Sequence, residues 1–363
     1  MKILIDIGHP AHVHYFRNFI KIMESKGHNF LITARDKEVS QILLDKYKIS
    51  YINRGKGGKG LLGKTFYLLK ANYIILKESI KFKPDIFLSF ASPYAAQISF
   101  LINKPHIAFT DTEHAKLGNY AFMPFTSTIV TPSSFNGNLG KKHIKFNGFM
   151  EQCYLDNKYF KPKNINNIIN NNSKKYVILR FVSWNAAHDI GHSGLDNNTK
   201  KELIKIIEEL GYDVYISSEA NMPKEFEKYI LKISPENMHD VLANASLFVG
   251  EGATMASECA ILGTPAIYVN SLDAGTLQEQ EKYGCIFGFR NSEGVIEKVK
   301  ELLNNSNLYD DFKIRNKKLL ENTIDVTSYM VWLIENYPKS IDILKKNYNY
   351  QYNLKDYNNI LNH

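Results

Sequence analysis

Cysteine is scarce. The three in this chain, Cys153, Cys259 and Cys285, lie far apart and form no CxxC pair. That spacing argues against a disulfide framework and a structural zinc site, and it suits the reducing cytoplasm. Long apolar runs are also missing: no stretch approaches the ~20 consecutive residues of a membrane span. The chain is therefore expected to be soluble or peripheral. The opening MKILIDIGHP carries one lysine and a short apolar run ending at Asp6, and reads as a strand rather than a signal peptide. Acid is outnumbered, with Lys+Arg 45 against Asp+Glu 37, a net charge of +8. That excess suits anionic partners such as nucleotides or lipid head groups. It is equally a compositional bias of a chain rich in Lys, Asn and Ile. No nucleic-acid-binding motif accompanies it, so nucleic acid is not expected as a partner.

What is present is 363 residues with a 44% hydrophobic fraction, enough for two α/β domains. Apolar runs alternate with stretches of helical spacing. MKILIDI, NFLITAR, ISYINRG, DIFLSF, HIAFTD and STIVTPS read as strands of a first domain, residues 1–155. HVHYFRNFIKIMESKGH, KEVSQILLDKY and a long segment from Leu61 read as helices between them. The polar, Asn-rich residues 156–175 read as a linker. Alternation then restarts with KKYVILRFV, DVYISSE, SLFVGEG and PAIYVNS over residues 176–325. Residues 326–363 are expected to form helices that pack back on the first domain. Continuous apolar strands joined by helices predict parallel sheets covered on both faces. Two Rossmann-like domains in tandem predict a central cleft faced by the carboxyl ends of both sheets.

Five stretches carry residues with chemistry. In GHPAHVHYFRN, Gly8 permits a tight turn, and His9, His12 and His14 gather where a helix begins. That is a place for anions and for acid–base work, or else for local capping and packing. FTDTEHA ends a strand with Asp111, Glu113 and His114, three titratable groups in four residues. They are candidates for catalysis or substrate contact, with an N-cap as the alternative. RFVSWNAAHDIGHSG follows the first strand of the second domain. In it Arg180 can pair with phosphate, Trp184 can cover a base or sugar, and His188 with Asp189 can form an oriented acid–base pair.

The fourth stretch is VGEGATMASECAILGTPAIYV. Gly250 and Gly252 allow close backbone approach. Thr254 sits near a helix start, where N–H groups favour phosphate. Glu258, one turn on, can accept from a ribose diol, and Gln278 and Glu279 downstream can meet sugar hydroxyls. In the fifth stretch, RGKGGKGLLGKT, a Walker pattern aligns formally over Gly58–Thr65. It stands in a long loop between the third strand and a helix, poor context for an NTPase. It reads instead as a basic flap near the cleft or a membrane surface.

VGEGATMASECAILGTPAIYVNS resembles the donor-nucleotide segment of GT-B glycosyltransferases. It is similar to the enzyme that adds N-acetylglucosamine to lipid I, and to the non-hydrolysing UDP-N-acetylglucosamine 2-epimerases. DIGHPAHVHYFRNFI, FTDTEHA and RFVSWNAAHDIGHSG resemble a little-characterised prokaryotic family within this superfamily, classed as a domain of unknown function. That likeness covers roughly residues 1–335. The resemblance implies a GT-B-like fold and a UDP-sugar held mainly by the second domain. Glu258 would hold the ribose, Ala253 and Thr254 the diphosphate, and Gln278 or Glu279 the hexose. It implies no metal and no cofactor beyond the nucleotide sugar, with UDP as leaving group. Two loops depart from the peptidoglycan enzyme: GHPAHVH replaces a Gly-Gly-rich run, and SWNAAHD replaces a short Gly/Ser turn.

The expected activity is an inverting transfer of hexose or N-acetylhexosamine from a UDP donor to a surface-glycan or lipid-linked acceptor. His14 is the first candidate base, with Asp111 or Glu113 as alternatives; Arg180 and His188 would stabilise UDP. The expected location is the cytoplasm, at the inner face of an anionic membrane. A nucleotide-sugar 2-epimerase is the second expectation, and a non-catalytic nucleotide-sugar-binding protein the third.

Overall fold

In the computed structural model, the first strand shows why the sheets form. Lys2–Ile7 (β1) is buried at every residue but its first, so its apolar run is covered on both faces. The structure describes residues 1–58, 60–113, 116–169, 175–181, 194–218, 223–272, 274–355 and 357.

Along the chain, β1 is followed by Pro10–Ser25 (α1), Asn29–Ala34 (β2), Glu38–Lys46 (α2), Ile52–Asn53 (β3) and Gly60–Phe82 (α3). Next come Ile86–Phe90 (β4), Pro93–Leu101 (α4), His106–Phe109 (β5), Lys116–Phe122 (α5), Thr128–Pro132 (β6), His143–Phe146 (β7) and Gln152–Leu155 (α6). Asn166–Ile169 (α7), Tyr176–Phe181 (β8), Asn197–Glu209 (α8), Asp213–Ser218 (β9) and Met238–Ala243 (α9) continue the chain. Leu247–Gly250 (β10), Ala253–Leu262 (α10), Ala266–Val269 (β11), Gly275–Lys282 (α11) and Ile286–Phe289 (β12) follow. The last helices are Val295–Leu303 (α12), Leu308–Glu321 (α13), Val326–Glu335 (α14) and Lys339–Lys346 (α15).

The chain divides into two units, residues 1–154 with 324–363, and residues 155–323. The first unit holds a seven-stranded sheet in the order β3-β2-β1-β4-β5-β6-β7, and the second a five-stranded sheet in the order β12-β11-β10-β8-β9. Every strand pairing among the described residues is parallel. Parallel strands need crossovers, and here helices supply them, except between β6 and β7, which residues 133–142 join without a helix.

Each sheet has one place where strand order reverses. In the first unit it lies between β1 and β4; in the second it lies between β8 and β10. Ligands of open α/β sheets bind outside the carboxyl ends of strands at such points.

Two sequence expectations change. The Asn-rich stretch read as a linker is held against the second unit at residues 163–165. The Lys163 N–H donates to Asp240 Oδ1 at 2.9 Å, Asn244 Nδ2 donates to the Lys163 carbonyl, and Ile165 is buried. Backbone polarity is thus satisfied by the domain rather than by water alone. The basic stretch read as a flap is helical from Gly60, so Lys64 and Thr65 lie within α3 and form no phosphate loop. Arg54, the arginine of that stretch, is buried rather than part of a charged surface. Among the described residues no helix is long and apolar enough to cross a membrane.

Candidate functional site

In the second unit, the reversal point brings the β8 end beside the β10 end, with Gly250 paired in register with Arg180. A Cβ at 250 would lie 2.6 Å from the Arg180 Cβ and 2.9 Å from its carbonyl oxygen. Only glycine fits there without displacing backbone. Arg180 is partly exposed, and its Nη1 donates to Ser217 Oγ at 2.9 Å. Its guanidinium is therefore anchored on β9 near the carboxyl edge.

Gly252 is the N-cap of α10 and offers no side-chain cap, while Ala253 and Thr254 are exposed. The first N–H groups of that helix carry partial positive charge toward solvent, a setting for an anion. Glu258 lies one turn further on and is buried. Its Oε1 sits 3.0 Å from Nε2 of His239, which α9 supplies. The ring of Phe160 packs edge-on against His239.

Glu251, between the two glycines, is also buried; it accepts the Leu195 N–H at 2.8 Å and lies 3.8 Å from Lys200 Nζ. It thus secures the chain just after residue 193. Trp184, His188 and Asp189 lie outside the described residues.

A cavity of about 270 Å³ opens at the carboxyl ends of β11 and β12, lined by Tyr268, Asn270, Leu272, Gln278 and Arg290 among others. Gln278 is exposed on α11 and belongs to this lining. Glu279 instead pairs with Lys282 at 2.8 Å on the same helix.

In the first unit, the reversal point gathers Gly8, His9 and His12 with Phe90 and Ser92. His9 caps α1: its Nδ1 accepts the Ala11 N–H at 3.3 Å. The Gly8 N–H donates to His12 Nδ1 at 3.3 Å, and the His12 ring lies 4.9 Å from that of Phe90. Burial, then neighbouring positive charge, lowers the pKa of both histidines, so both are neutral at pH 7. Neutrality is what lets each ring nitrogen accept a backbone N–H.

His14 is set apart from them. It is buried, with its ring 5.1 Å from Tyr154 and 5.8 Å from Tyr47. Arg17 bridges the same two tyrosines, donating to Tyr47 Oη at 2.7 Å and to the Tyr154 carbonyl at 3.2 Å. His14 is therefore placed in aromatic packing.

Asp111 stands two residues beyond β5 and is partly exposed. Burial of its carboxyl, reinforced by the charge of Glu113, pushes its pKa up to about 6 against the pull of a bond from Thr112. Glu113 accepts the Asn136 N–H at 3.0 Å, which ties it to the loop after β6. His114 lies outside the described residues.

Beneath the His9 turn, Asp6 is fully buried and accepts from Thr33 Oγ1 at 2.7 Å, Arg54 Nε at 2.8 Å and Ser92 Oγ. Arg54 also stacks over Tyr94, 4.5 Å from its centroid. This network ties the ends of β1, β2, β3 and β4 together under the candidate site.

Sequence reasoning missed His239, Glu251, Ser217 and the Asp6–Arg54 pair as supports. Asp6 was visible as an acid closing an apolar strand. His239 carried no signal, because only the packing of α9 on α10 brings it to Glu258. No group of three or more His, Cys, Asp or Glu that could hold a metal ion occurs among the described residues.

Among solved structures, the fold is similar to the UDP-GlcNAc 2-epimerase of Methanocaldococcus jannaschii, at 17% identity and a TM-score of 0.62 over 88% of this chain and 99% of that one. It is similar also to SsfS6, a glycosyltransferase of Streptomyces sp. SF2575, at 13% identity and a TM-score of 0.58 over 93% and 100% of the two chains. The architecture is thus GT-B-like, with two parallel α/β sheets. In sequence, the chain is 27% identical over 279 residues to the uncharacterized protein MJ0665 of Methanocaldococcus jannaschii, covering 74% of this chain and 81% of that protein. The sequence model of one family matches residues 1–339, and the chain belongs to that family, described as "Protein of unknown function (DUF354)".

Proposed function

We propose that this protein is a glycosyltransferase that takes a hexose or N-acetylhexosamine from a UDP donor and passes it, with inversion, to a surface-glycan or lipid-linked acceptor. The observation that carries the reading is the reversal point of the second unit. There an uncapped helix N-terminus, a glycine turn and Arg180 stand side by side, with Glu258 and His239 one turn behind. Helix N–H groups and the guanidinium supply positive charge for a diphosphate without a metal. Glu258 supplies a carboxylate for the ribose diol, and Gln278 reaches the hexose from α11.

The first unit receives the acceptor at the carboxyl ends of β4 and β5. Asp111 is the better base on its pKa of about 6, since a general base works best when its pKa is near the operating pH. It takes the acceptor's hydroxyl proton; the oxygen attacks the anomeric carbon, and the bond to UDP breaks with its electron pair leaving on phosphate. His14, by its packing between Tyr47 and Tyr154, shapes the unit beneath the site.

The test is UDP release from a panel of UDP-sugars, with and without an added lipid-linked or oligosaccharide acceptor. Release that depends on acceptor supports transfer. No release with any donor, together with no thermal shift by UDP, overturns it. One observation favours a second reading: Asp111 and Glu113 are charge-coupled neighbours, a pair suited to deprotonating and reprotonating C2 of a nucleotide sugar. Deuterium uptake at C2 without acceptor identifies that epimerase.

A further inference from the structure

The longest helix of the first unit has two apolar faces. Tyr67, Ala71, Ile75 and Ser79 of α3 are buried, and Ile75 joins Leu4, Phe87, Ala95 and Ile98 in the core. On the other side, Leu62, Phe66, Leu69, Tyr73 and Ile80 are 62 to 77% exposed. At 100° per residue these five fall within about 60° of arc, and at 1.5 Å per residue they run about 27 Å along the axis. Isolated exposed apolar residues are ordinary, but a ridge of this length and alignment is not.

The charge beside the ridge says what covers it. Residues 56–83 contain seven lysines and one acid, Glu78. Glu78 is partly buried and lies 3.3 Å from Lys81. Lys70, Lys77 and Lys81 are exposed and stand about 50–90° around the helix from the midline of the ridge. That is the arrangement of an interfacial helix, with an apolar stripe entering the acyl boundary and lysines reaching head groups alongside. The apolar surface continues nearby. Asn72 of α3 donates to Gln97 of α4 at 2.7 Å, and one turn beyond Gln97 stand the exposed Phe100 and Leu101.

We infer that α3 docks the first unit on an anionic lipid surface. A second copy of the chain fits less well, because an antiparallel two-fold contact on this ridge would set Lys70, Lys77 and Lys81 beside the same lysines of the other copy. The inference goes beyond the proposed sugar transfer and needs no donor or acceptor to be tested.

The experiment is flotation of the full chain with vesicles of phosphatidylcholine alone, or containing about one third phosphatidylglycerol, at low salt and at about 0.5 M salt. The wild type is expected to partition about tenfold or more better onto the anionic vesicles and to be released by salt. The double variant Phe66→Ser/Leu69→Ser should lose about tenfold or more of that partition. Lys70→Glu/Lys77→Glu should lose about fivefold per lysine on anionic vesicles alone. All four side chains are exposed, so thermal unfolding should match the wild type. Independently of either double variant, Phe66→Trp should show a blue-shifted difference emission on anionic vesicles.

The inference is overturned by a wild type that stays in the soluble fraction with both vesicles, or by double variants that float like the wild type. An unshifted tryptophan at 66 overturns it too. So does a wild-type dimer that Phe66→Ser/Leu69→Ser converts to monomer, which would identify a second copy as the occupant.

Discussion

The Nε2 of His239 lies 3.0 Å from Oε1 of Glu258, and both side chains are buried in the second unit. Glu258 is thus oriented by a histidine from a different helix. If its carboxylate binds a ribose diol, both members of the pair matter, in different degrees. Glu258→Ala is expected to weaken UDP binding about 10- to 100-fold, the worth of hydrogen bonds to a charged group. His239→Ala should weaken it about tenfold by loosening the carboxylate. Isothermal titration with UDP checks both; unchanged affinity in Glu258→Ala would sink the ribose role.

Gly250→Ala tests the turn itself. A methyl group there meets the Arg180 Cβ at 2.6 Å and its carbonyl oxygen at 2.9 Å, so strand β8 or β10 must shift. The expected cost is about 1–3 kcal/mol of stability in the second unit, together with weaker UDP binding. Thermal unfolding and the same titration measure each.

Asp6 and Arg54 form a fully buried ion pair, linked by bonds from Arg54 Nε at 2.8 Å and Nη2 at 3.1 Å. Removing one partner leaves the other charged and unpaired. Arg54→Met is therefore expected to destabilise the first unit by about 3–5 kcal/mol. Asp6→Asn/Arg54→Met should cost less than the sum of the single changes, because neither charge then remains buried alone. Denaturant unfolding of the four proteins completes the cycle.

The Asp111 carboxyl has a folded pKa of about 6, above its ordinary value of 3.8. Below pH 6 it is protonated and cannot accept a proton, so turnover should fall about tenfold per pH unit. Asp111→Asn should remove that limb and lower the rate about 10²- to 10⁴-fold. For stability the sign is the reverse of a salt-bridged acid. Between about pH 4 and 6 the folded state binds the proton more tightly than the unfolded state, so this group's contribution falls as pH rises through that window. Asp111→Asn should flatten that part of the stability profile.

How much was legible beforehand varies with how local the cause is. β1, β4, β5, β8, β10 and β11 were all marked by apolar runs, because a strand buried on both faces needs apolar residues throughout. β7 and β12 were not marked: HIKF and IFGF are short, and their places are edges of the two sheets. α4, PYAAQISFL, is apolar on most sides and has no clear helical stripe to mark it. Of the site residues, the Gly250–Gly252 turn and Glu258 were legible as a strand–turn–helix pattern.

The linear order of residues accounts for the two tandem parallel α/β sheets, the glycine turn before α10 and the lysine excess around α3. These follow from residue type and spacing, which act over one or two turns of chain. Packing between distant segments sets His14 among tyrosines while His9 and His12 stand at the strand ends, buries Arg54 on Asp6, and brings His239 to Glu258. It also leaves one apolar face of α3 exposed. Those outcomes depend on which distant segments pack together, and a linear pattern of residues carries no record of that.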